Sequence, residues 1–86
     1  ERMRDRKIVI GGTYRHFKGK EYMVLNTARH TETGELLVVY MAMYDDFKIW
    51  ARPYDMFMSK VDREKYPDAE QEYRMELVSD YARRGG

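Results

Sequence analysis

The chain has no cysteine, only two histidines and no long apolar run in its 86 residues. Without cysteine, neither a disulfide framework nor a cysteine-ligated zinc site can form. The two histidines lie at no metal-binding spacing with carboxylates, so we predict no metal and no cofactor. A membrane-spanning helix needs roughly 20 apolar residues. No stretch reaches that length, which predicts a soluble, cytoplasmic protein without a membrane partner.

The net charge is only +1, but the charges are unevenly distributed. Residues 1–30 contain eight Lys or Arg against three Asp or Glu, whereas residues 31–86 contain eight against twelve. A basic first third suits an anionic partner, and the acidic remainder argues against a general nucleic-acid coat. An ordinary solvated surface accounts for the same distribution, so charge alone does not decide between partners.

Most of the chain has the pattern of short strands separated by turns. Residues 1–7 lack periodicity and are expected to form a flexible lead-in. Gly19 and Gly34 mark tight turns, because glycine adopts positive φ without steric cost. Strands are predicted at 13–17, 21–31, 35–44, 47–52 and 58–61, with a helical turn at 53–57.

The C-terminal segment has a different pattern. An apolar stripe at helical spacing is formed by Tyr73, Leu77, Val78 and Tyr81. Asp68, followed three residues later by Gln71, has the form of a capping box. We therefore predict an amphipathic helix over 67–84, whose stripe offers a homo-oligomer contact. The predicted fold class is mainly β: a small SH3-like five-stranded barrel over 8–62 with one C-terminal α-helix.

The hairpin turns decide which residues share a face of the sheet. With turns at 33–34 and 45–46, the register pairs Asn26 with Met41 and Met41 with Trp50. The predicted core face comprises Leu25, Val38, Tyr40, Ala42, Phe47, Ile49 and Ala51. The opposite, mixed face comprises Val24, Asn26, His30, Val39, Met41, Met43, Trp50 and Arg52. A slip of one residue in a turn exchanges the faces.

The mixed face has the composition of a binding pocket, which is mostly apolar with a few polar groups. Trp50 and Tyr44 offer flat rings for stacking, and the Arg52 guanidinium can hold a carboxylate or phosphate with two hydrogen bonds. The predicted ligand-binding set is His16, Lys18, Asn26, Arg29, His30, Tyr44, Trp50 and Arg52. Taken singly, a histidine is more often a surface residue and a tryptophan more often a core residue. The hypothesis therefore depends on their convergence.

Enzymatic chemistry has no comparable support in the sequence. Ser59 and Ser79 have no general base in a recognisable local motif. Gly11, Gly12 and Gly19 do not form a phosphate-binding loop. We therefore predict that the protein is not an enzyme.

Four blocks of residues have a specific spacing. The first, Y-R-H-x-K-G-x-x-Y-x-V-L, is carried by Tyr14, Arg15, His16, Lys18, Gly19, Tyr22, Val24 and Leu25. The others are Ala28, Arg29, His30, Glu32 and Thr33; Val38, Val39 and Tyr40; and Trp50, Arg52, Pro53, Met56 and Phe57. Over roughly residues 12–62 this pattern resembles a small bacterial and phage domain-of-unknown-function family. The resemblance implies a compact SH3-like β-barrel, brings no established activity, and leaves the predicted terminal helix outside the match.

The leading functional prediction is a non-enzymatic binding module for a small anionic, nucleotide-like ligand, which it would sequester from signalling. The alternatives are an SH3-like adaptor for protein partners, or binding of single-stranded nucleic acid through the basic first third. Ligand binding predicts a deep pocket and an adaptor predicts a shallow groove. Nucleic-acid binding predicts an affinity that falls steeply with salt.

Overall fold

One antiparallel sheet makes up most of the fold. The computed structural model describes residues 6–79. Its elements, in chain order, are β1 (Thr13–His16), β2 (Glu21–Arg29), β3 (Leu36–Ala42), β4 (Ile49–Pro53), α1 (Tyr54–Phe57) and β5 (Met75–Ser79). The strands lie in the order β4-β3-β2-β1-β5. No helix in this part of the chain is long and apolar enough to cross a membrane.

The sheet is curved, so that its two edge strands approach one another. Arg52 of β4 and Met75 of β5 belong to opposite edges of the sheet, yet both line the same small pocket. The mainly β, barrel-like fold with five strands that the sequence predicts is confirmed.

Aromatic rings fill the concave side of the sheet. Phe57 of α1 is fully buried and packs edge-on against Tyr14 and Tyr40, with ring centroids 5.5 and 5.2 Å away. The cluster also contains Val24, Val38, Met58 and Met75. Burying a phenylalanine side chain contributes roughly 1.5–3 kcal/mol. A single helical turn is therefore enough to cover the open side of the core.

The first four strands begin and end within two residues of their predicted bounds. The glycine turns also form, with φ of 112° at Gly19 and 74° at Gly34. The Gly19 N–H donates to the His16 carbonyl at 2.7 Å, and the Gly34 N–H donates to the His30 carbonyl at 2.8 Å. The helical turn predicted at 53–57 is α1. The register of β2 with β3 differs from the prediction, since Asn26 pairs with Val39 and not with Met41.

The predicted turn between β3 and β4 is wrong. The Ala42 N–H donates to the Lys48 carbonyl at 2.9 Å, so the connection is the five residues 43–47 and not a two-residue turn. Asp45 and Phe47 adopt positive φ, 53° and 55°, to close it. An odd number of connecting residues shifts the register of β4 by one.

This shift reverses the faces of β4. Trp50 pairs with Tyr40 and not with Met41 as predicted. Directly paired residues share a face, so Trp50 and Arg52 lie on the same side of the sheet as Tyr40. The predicted core residues Phe47, Ile49 and Ala51 are exposed instead.

A β-bulge in β2 corrects two further predictions. Leu25 is an extra residue between the pairs Val24–Tyr40 and Asn26–Val39. Because a bulge shifts the alternation of side chains by one, Val24 is fully buried although it was predicted on the mixed face. Leu25, predicted in the core, is only partly buried.

The C-terminal helix predicted over 67–84 is wrong for the residues that the structure describes. No helix occurs between 67 and 79, and β5 occupies the centre of the predicted span. Residues 80–84 lie outside the described part of the chain. The homo-oligomer contact expected from the apolar stripe of this helix therefore loses its basis.

β5 forms a strand because of a pairing with a residue segment far away in the sequence. β5 pairs with β1, which would otherwise leave its outer edge without backbone partners. Gln71 does not cap a helix, because its Nε2 donates to the carbonyls of Arg15 (3.0 Å) and Tyr73 (3.1 Å). The segment from Tyr73 alternates apolar and charged residues, a period of two that fits a strand once a partner strand is present.

The predicted lead-in is anchored at its end. Arg6 donates to the carbonyls of Met58 (2.8 Å) and Met75 (2.6 Å), and its guanidinium lies 3.9 Å from the centroid of the Tyr73 ring. Arg6, at the end of the predicted lead-in, is therefore held by specific contacts, and residues 1–5 of that lead-in lie outside the described range.

The strand predicted at 58–61 is reduced to one bridge. Lys60 pairs with Tyr73 in isolation, while Met58 and Val61 are buried. The fifth strand of the sheet is thus β5. The segment 58–61 lies beside the residues that lead into β5.

Candidate functional site

Two adjoining cavities lie where the end of β1, β4 and the segment before β5 meet. The outer one, which we call the basic cleft, has a volume of about 330 Å³. Its lining residues are His16, Phe17, Lys18, Arg52, Val61, Asp62, Lys65, Tyr66 and Arg74. The inner one, which we call the inner pocket, has a volume of about 80 Å³ and is lined by His16, Tyr22, Tyr40, Arg52, Phe57 and Met75. His16 and Arg52 belong to both cavities and stand at their boundary.

The turn after β1 holds His16 in one tautomer. The Lys18 backbone N–H donates to His16 Nδ1 at 3.1 Å, so the neutral ring carries its proton on Nε2. The ring also stacks on Phe17, with centroids 4.5 Å apart. Burial, together with the positive charges of Arg52, Arg74 and Lys18, lowers the pKa of His16. At neutral pH the ring is therefore an uncharged donor through Nε2.

The basic cleft carries more positive charge than its walls neutralise. Its cations are Lys18, Arg52, Lys65 and Arg74, and Asp62 is the one carboxylate among the described lining residues. Asp62 Oδ1 already accepts hydrogen bonds from the backbone N–H groups of Glu64 (3.0 Å) and Lys65 (3.4 Å). Within residues 6–79, none of the four cations has a carboxylate at ion-pair distance. A concave site of this charge attracts anions.

An aromatic wall stands beside these cations. Phe17 and Tyr66 pack edge to face with centroids 4.9 Å apart. Lys18 Nζ lies 5.1 Å and Lys65 Nζ 5.9 Å from the centroid of the Tyr66 ring. The cleft therefore combines rings for stacking with ammonium groups for charge.

The inner pocket contains a phenol that stays protonated. The Tyr22 and Tyr44 hydroxyl oxygens lie 2.7 Å apart in a hydrogen bond. Burial and this bond raise the pKa of Tyr22 to about 12. Tyr22 is therefore a neutral hydroxyl near neutral pH.

The structure brings together half of the predicted ligand-binding residues. His16, Lys18 and Arg52 line the basic cleft. Tyr44 lines neither cavity but hydrogen-bonds to Tyr22, which lines the inner pocket. Arg52 joins the group because of the unexpected register of β4, which turns it toward the core side of the sheet.

The other predicted residues do not line either cavity. Asn26, Arg29 and His30 are exposed in the distal half of the β2–β3 hairpin. Arg29 donates to the Gly34 carbonyl at 2.9 Å, which is a turn contact. Trp50 is 49% exposed on the edge strand β4.

Sequence reasoning missed Tyr22, Lys65, Tyr66 and Arg74. Tyr22 belongs to the first of the four spaced blocks but was not assigned a role. Arg74 lies in the segment that was predicted to be helical, and Lys65 and Tyr66 lie directly before it. Only the pairing of β5 with β1 brings that segment beside His16.

A wider groove lies elsewhere on the surface. It measures about 900 Å³ and is lined by Arg6, Lys7, Ile8, Thr27, Leu36, Tyr54, Asp55, Met58, Ser59 and Lys60. None of the eight predicted residues lines it. In the described part of the chain there is also no group of three or more His, Cys, Asp or Glu that could hold a metal ion.

The chain is similar to known proteins over most of its length. A family model described as "Protein of unknown function (DUF1653)" matches residues 12–77. The match includes most of β5, so the region beyond residue 62 belongs to the shared domain, contrary to the prediction from the residue pattern. No curated protein matches the chain.

A solved structure supports the same relationship. A DUF1653 protein from Bordetella bronchiseptica, whose crystal structure is known, is 31% identical to this chain in sequence. The two structures superpose with a TM-score of 0.69. The similarity covers 91% of this chain and 94% of that one. The residue pattern, the family model and the shared fold agree, and the chain belongs to the DUF1653 family of proteins of unknown function.

Proposed function

We propose that this protein is a non-enzymatic binding module that holds a small anionic, nucleotide-like ligand in the basic cleft. The observation that carries the proposal is the charge of that cleft: four cations face one carboxylate, which is already bonded to backbone N–H groups. Hydrogen bonds from charged donors to phosphate are roughly twice as strong as neutral ones. A phosphate-bearing ligand is the partner that this arrangement suits.

The shape of the cleft supports a ligand of nucleotide size. Its volume, about 330 Å³, falls in the range of roughly 300–1,000 Å³ that small-molecule sites occupy. Phe17 and Tyr66 provide the surface for a flat ring, a role that the sequence assigned to Trp50 and Tyr44. Arg52 provides the two-pronged donor for phosphate.

The surroundings of His16 favour binding over catalysis. A general base needs an available nitrogen lone pair, and His16 Nδ1 already accepts the Lys18 N–H. No Ser, Thr or Cys lines either cavity in the part of the chain that the structure describes. Sequestration of a signalling nucleotide in the cytoplasm is the form of this function that we favour.

Native mass spectrometry of the purified protein, followed by denaturation and identification of released molecules, tests the proposal. Calorimetric titration with nucleoside 5′-monophosphates then measures affinity. Arg52→Gln removes a charged donor worth roughly 1.5–3 kcal/mol. We expect it to weaken binding by roughly ten- to a hundredfold.

Arg29→Gln is the matched control, because it makes the same charge change at the exposed hairpin. We expect this variant to bind like the wild type. Equal losses in the two variants would mean that binding follows net charge and not the cleft, and the proposal would be wrong.

A salt series separates this function from binding of single-stranded nucleic acid. Contacts to many phosphates release many counterions, so nucleic-acid affinity falls steeply with salt. A single small ligand in a partly enclosed cleft loses much less. A steep loss with oligonucleotides, and no binding of mononucleotides, would favour the nucleic-acid alternative.

One observation favours the adaptor alternative. Four large apolar side chains around the β3–β4 connection are exposed and do not line the basic cleft: Met43, Phe47, Ile49 and Trp50. An adaptor that used them would lose a protein partner on Ile49→Thr and keep it on Arg52→Gln. The proposed ligand should show the reverse dependence.

A further inference from the structure

We propose that the inner pocket receives a terminal phosphoryl group, so that the ligand is a phosphomonoester and not a cyclic or bridging phosphodiester. This inference rests on the proposed function and specifies the ligand class of the same site. It places the phosphoryl group beyond Arg52 and His16 and leaves the ring in the basic cleft.

The size of the inner pocket carries the first step. Its volume is about 80 Å³. Since a water molecule occupies about 30 Å³ in the liquid, this is the space of two or three waters. One tetrahedral oxyanion fits such a space, whereas a nucleobase or a ribose does not. The ligand must therefore enter by its smallest end.

The walls of the pocket carry the second step. Tyr40, Phe57 and Met75 line it and are 7%, 0% and 3% exposed. A phosphorus with one ester linkage can enter and leave its single substituent in the basic cleft. A bridging diester phosphorus has a second substituent, which would have to pass into these packed side chains. In a cyclic diester both ester oxygens belong to one sugar, so the fused ring would have to enter the pocket together with the phosphorus. The pocket therefore discriminates by the number of ester bonds.

The polar groups of the pocket carry the third step, because they can donate hydrogen bonds to a ligand. The described lining residues include no carboxylate or amide oxygen that would accept a hydrogen bond. Arg52 brings a guanidinium. His16 carries its proton on Nε2, since Nδ1 accepts the Lys18 N–H. Tyr44 can supply the hydrogen of its bond with Tyr22, which leaves the Tyr22 O–H for a ligand. A set of donors suits an oxyanion, and a monoester carries more negative charge than a diester near neutral pH.

The test compares three probes by calorimetric titration: nucleoside 5′-monophosphates, the matching 3′,5′-cyclic monophosphates, and inorganic phosphate. Tyr22→Phe removes one hydroxyl from the inner pocket. Tyr73→Phe is the matched control, because it removes the same hydroxyl from a tyrosine that lines neither cavity. Thermal melting of both variants verifies that the fold is retained.

We expect the wild type to bind the monoesters at least roughly tenfold more tightly than the cyclic diesters. A lost hydrogen bond to a charged group costs roughly 1.5–3 kcal/mol. Tyr22→Phe should therefore weaken monoester binding by roughly tenfold or more and leave any binding of the cyclic diesters unchanged. Tyr73→Phe should change neither.

The outcomes distinguish this inference from the proposed function. Equal affinity for monoesters and cyclic diesters, both weakened by Arg52→Gln, would overturn the inner-pocket inference and leave the proposed function standing. Binding of inorganic phosphate that depends on Tyr22, without binding of any nucleotide, would support the inner pocket and overturn the nucleotide-like ligand. A dissociation constant above about 10 mM for every probe would overturn both.

Discussion

Two turns of this protein share an initial Arg-His and a final glycine but have different surroundings. One covers residues 15–19 and the other 29–34; each begins with Arg-His and ends at a glycine with positive φ. In both, the histidine Nδ1 accepts a hydrogen bond from the backbone N–H two residues later, Lys18 or Glu32, at 3.1 Å. The histidine is therefore held by the same local hydrogen bond in both turns.

Their tertiary neighbours differ. His16 is partly buried, with Arg52 and Arg74 close enough to lower its pKa, and it lines two cavities. His30 is exposed at the tip of a hairpin. The comparison shows that Arg-His followed by glycine encodes a turn, whereas a site forms only where other strands bring charge and walls to that turn.

Replacing the two glycines gives the largest expected effect on stability. An alanine at positive φ costs roughly 1–2 kcal/mol in the left-handed region, which is centred near φ +57°. Gly34 at 74° lies close to that region and Gly19 at 112° lies well outside it, so we expect Gly19→Ala to destabilise the protein more than Gly34→Ala. Chemical denaturation of both variants measures the difference.

The two variants are well matched, because an added Cβ meets no atom within 4 Å at either position. The difference in unfolding free energy therefore reports backbone strain. Only Gly19→Ala should also weaken binding of a nucleotide probe, since the turn positions His16 and Lys18. A binding loss in Gly34→Ala would contradict the separation of the two turns.

The lowered pKa of His16 predicts a pH dependence of stability. In the unfolded chain a histidine has a pKa near 6.5. Between that value and the lower folded value, the unfolded state binds more protons, so stability rises with pH. The contribution of His16 is complete above about pH 6.5 and is lost as the pH falls through the folded pKa.

Two measurements check this dependence. The NMR titration midpoint of His16 should lie below 6.5, because burial and the positive charges of Arg52, Arg74 and Lys18 lower its pKa. His16→Asn keeps an acceptor for the Lys18 N–H and removes the titration, so its stability relative to the wild type should improve as the pH falls. His30→Asn controls for the loss of an imidazole from a turn. A midpoint at or above 6.5 would contradict the account of the cleft.

The two arginines that begin the turns should have the smallest effects. Arg15 Nη2 lies 3.1 Å from Glu21 Oε2 in a half-exposed ion pair, and Arg29 bonds to the Gly34 carbonyl. Exposed contacts of this kind contribute roughly 0–1 kcal/mol. Arg15→Gln and Arg29→Gln should therefore shift the denaturation midpoint slightly and leave ligand affinity unchanged. A binding loss in Arg15→Gln would extend the site to the outer side of β1.

The strands and their faces were predictable to different degrees. Alternation and the glycine turns place β1 to β4 within two residues, because both are local properties. The faces depend on counting residues through turns, and two features defeat the count. These are the bulge at Leu25 and the five-residue connection at 43–47.

The candidate site shows the same limit. His16 and Lys18 were predictable, since the turn that holds them is encoded in residues 15–19. Arg52 was predicted as a ligand-binding residue but on the opposite face, and Arg74 was assigned to a helix. Their position beside His16 depends on two different pairings, β4 with β3 and β5 with β1.

The sequence by itself determined the β-rich fold, the family and the geometry of each Arg-His turn, because these follow from alternation, spacing and hydrogen bonds between near neighbours. Only the tertiary structure decided which turn became a cleft. The segment from Tyr73 to Ser79 is compatible with a helix or a strand, and the unpaired edge of β1 selects the strand. That pairing brings Arg74 to His16, and the curvature of the sheet brings Arg52 to meet them.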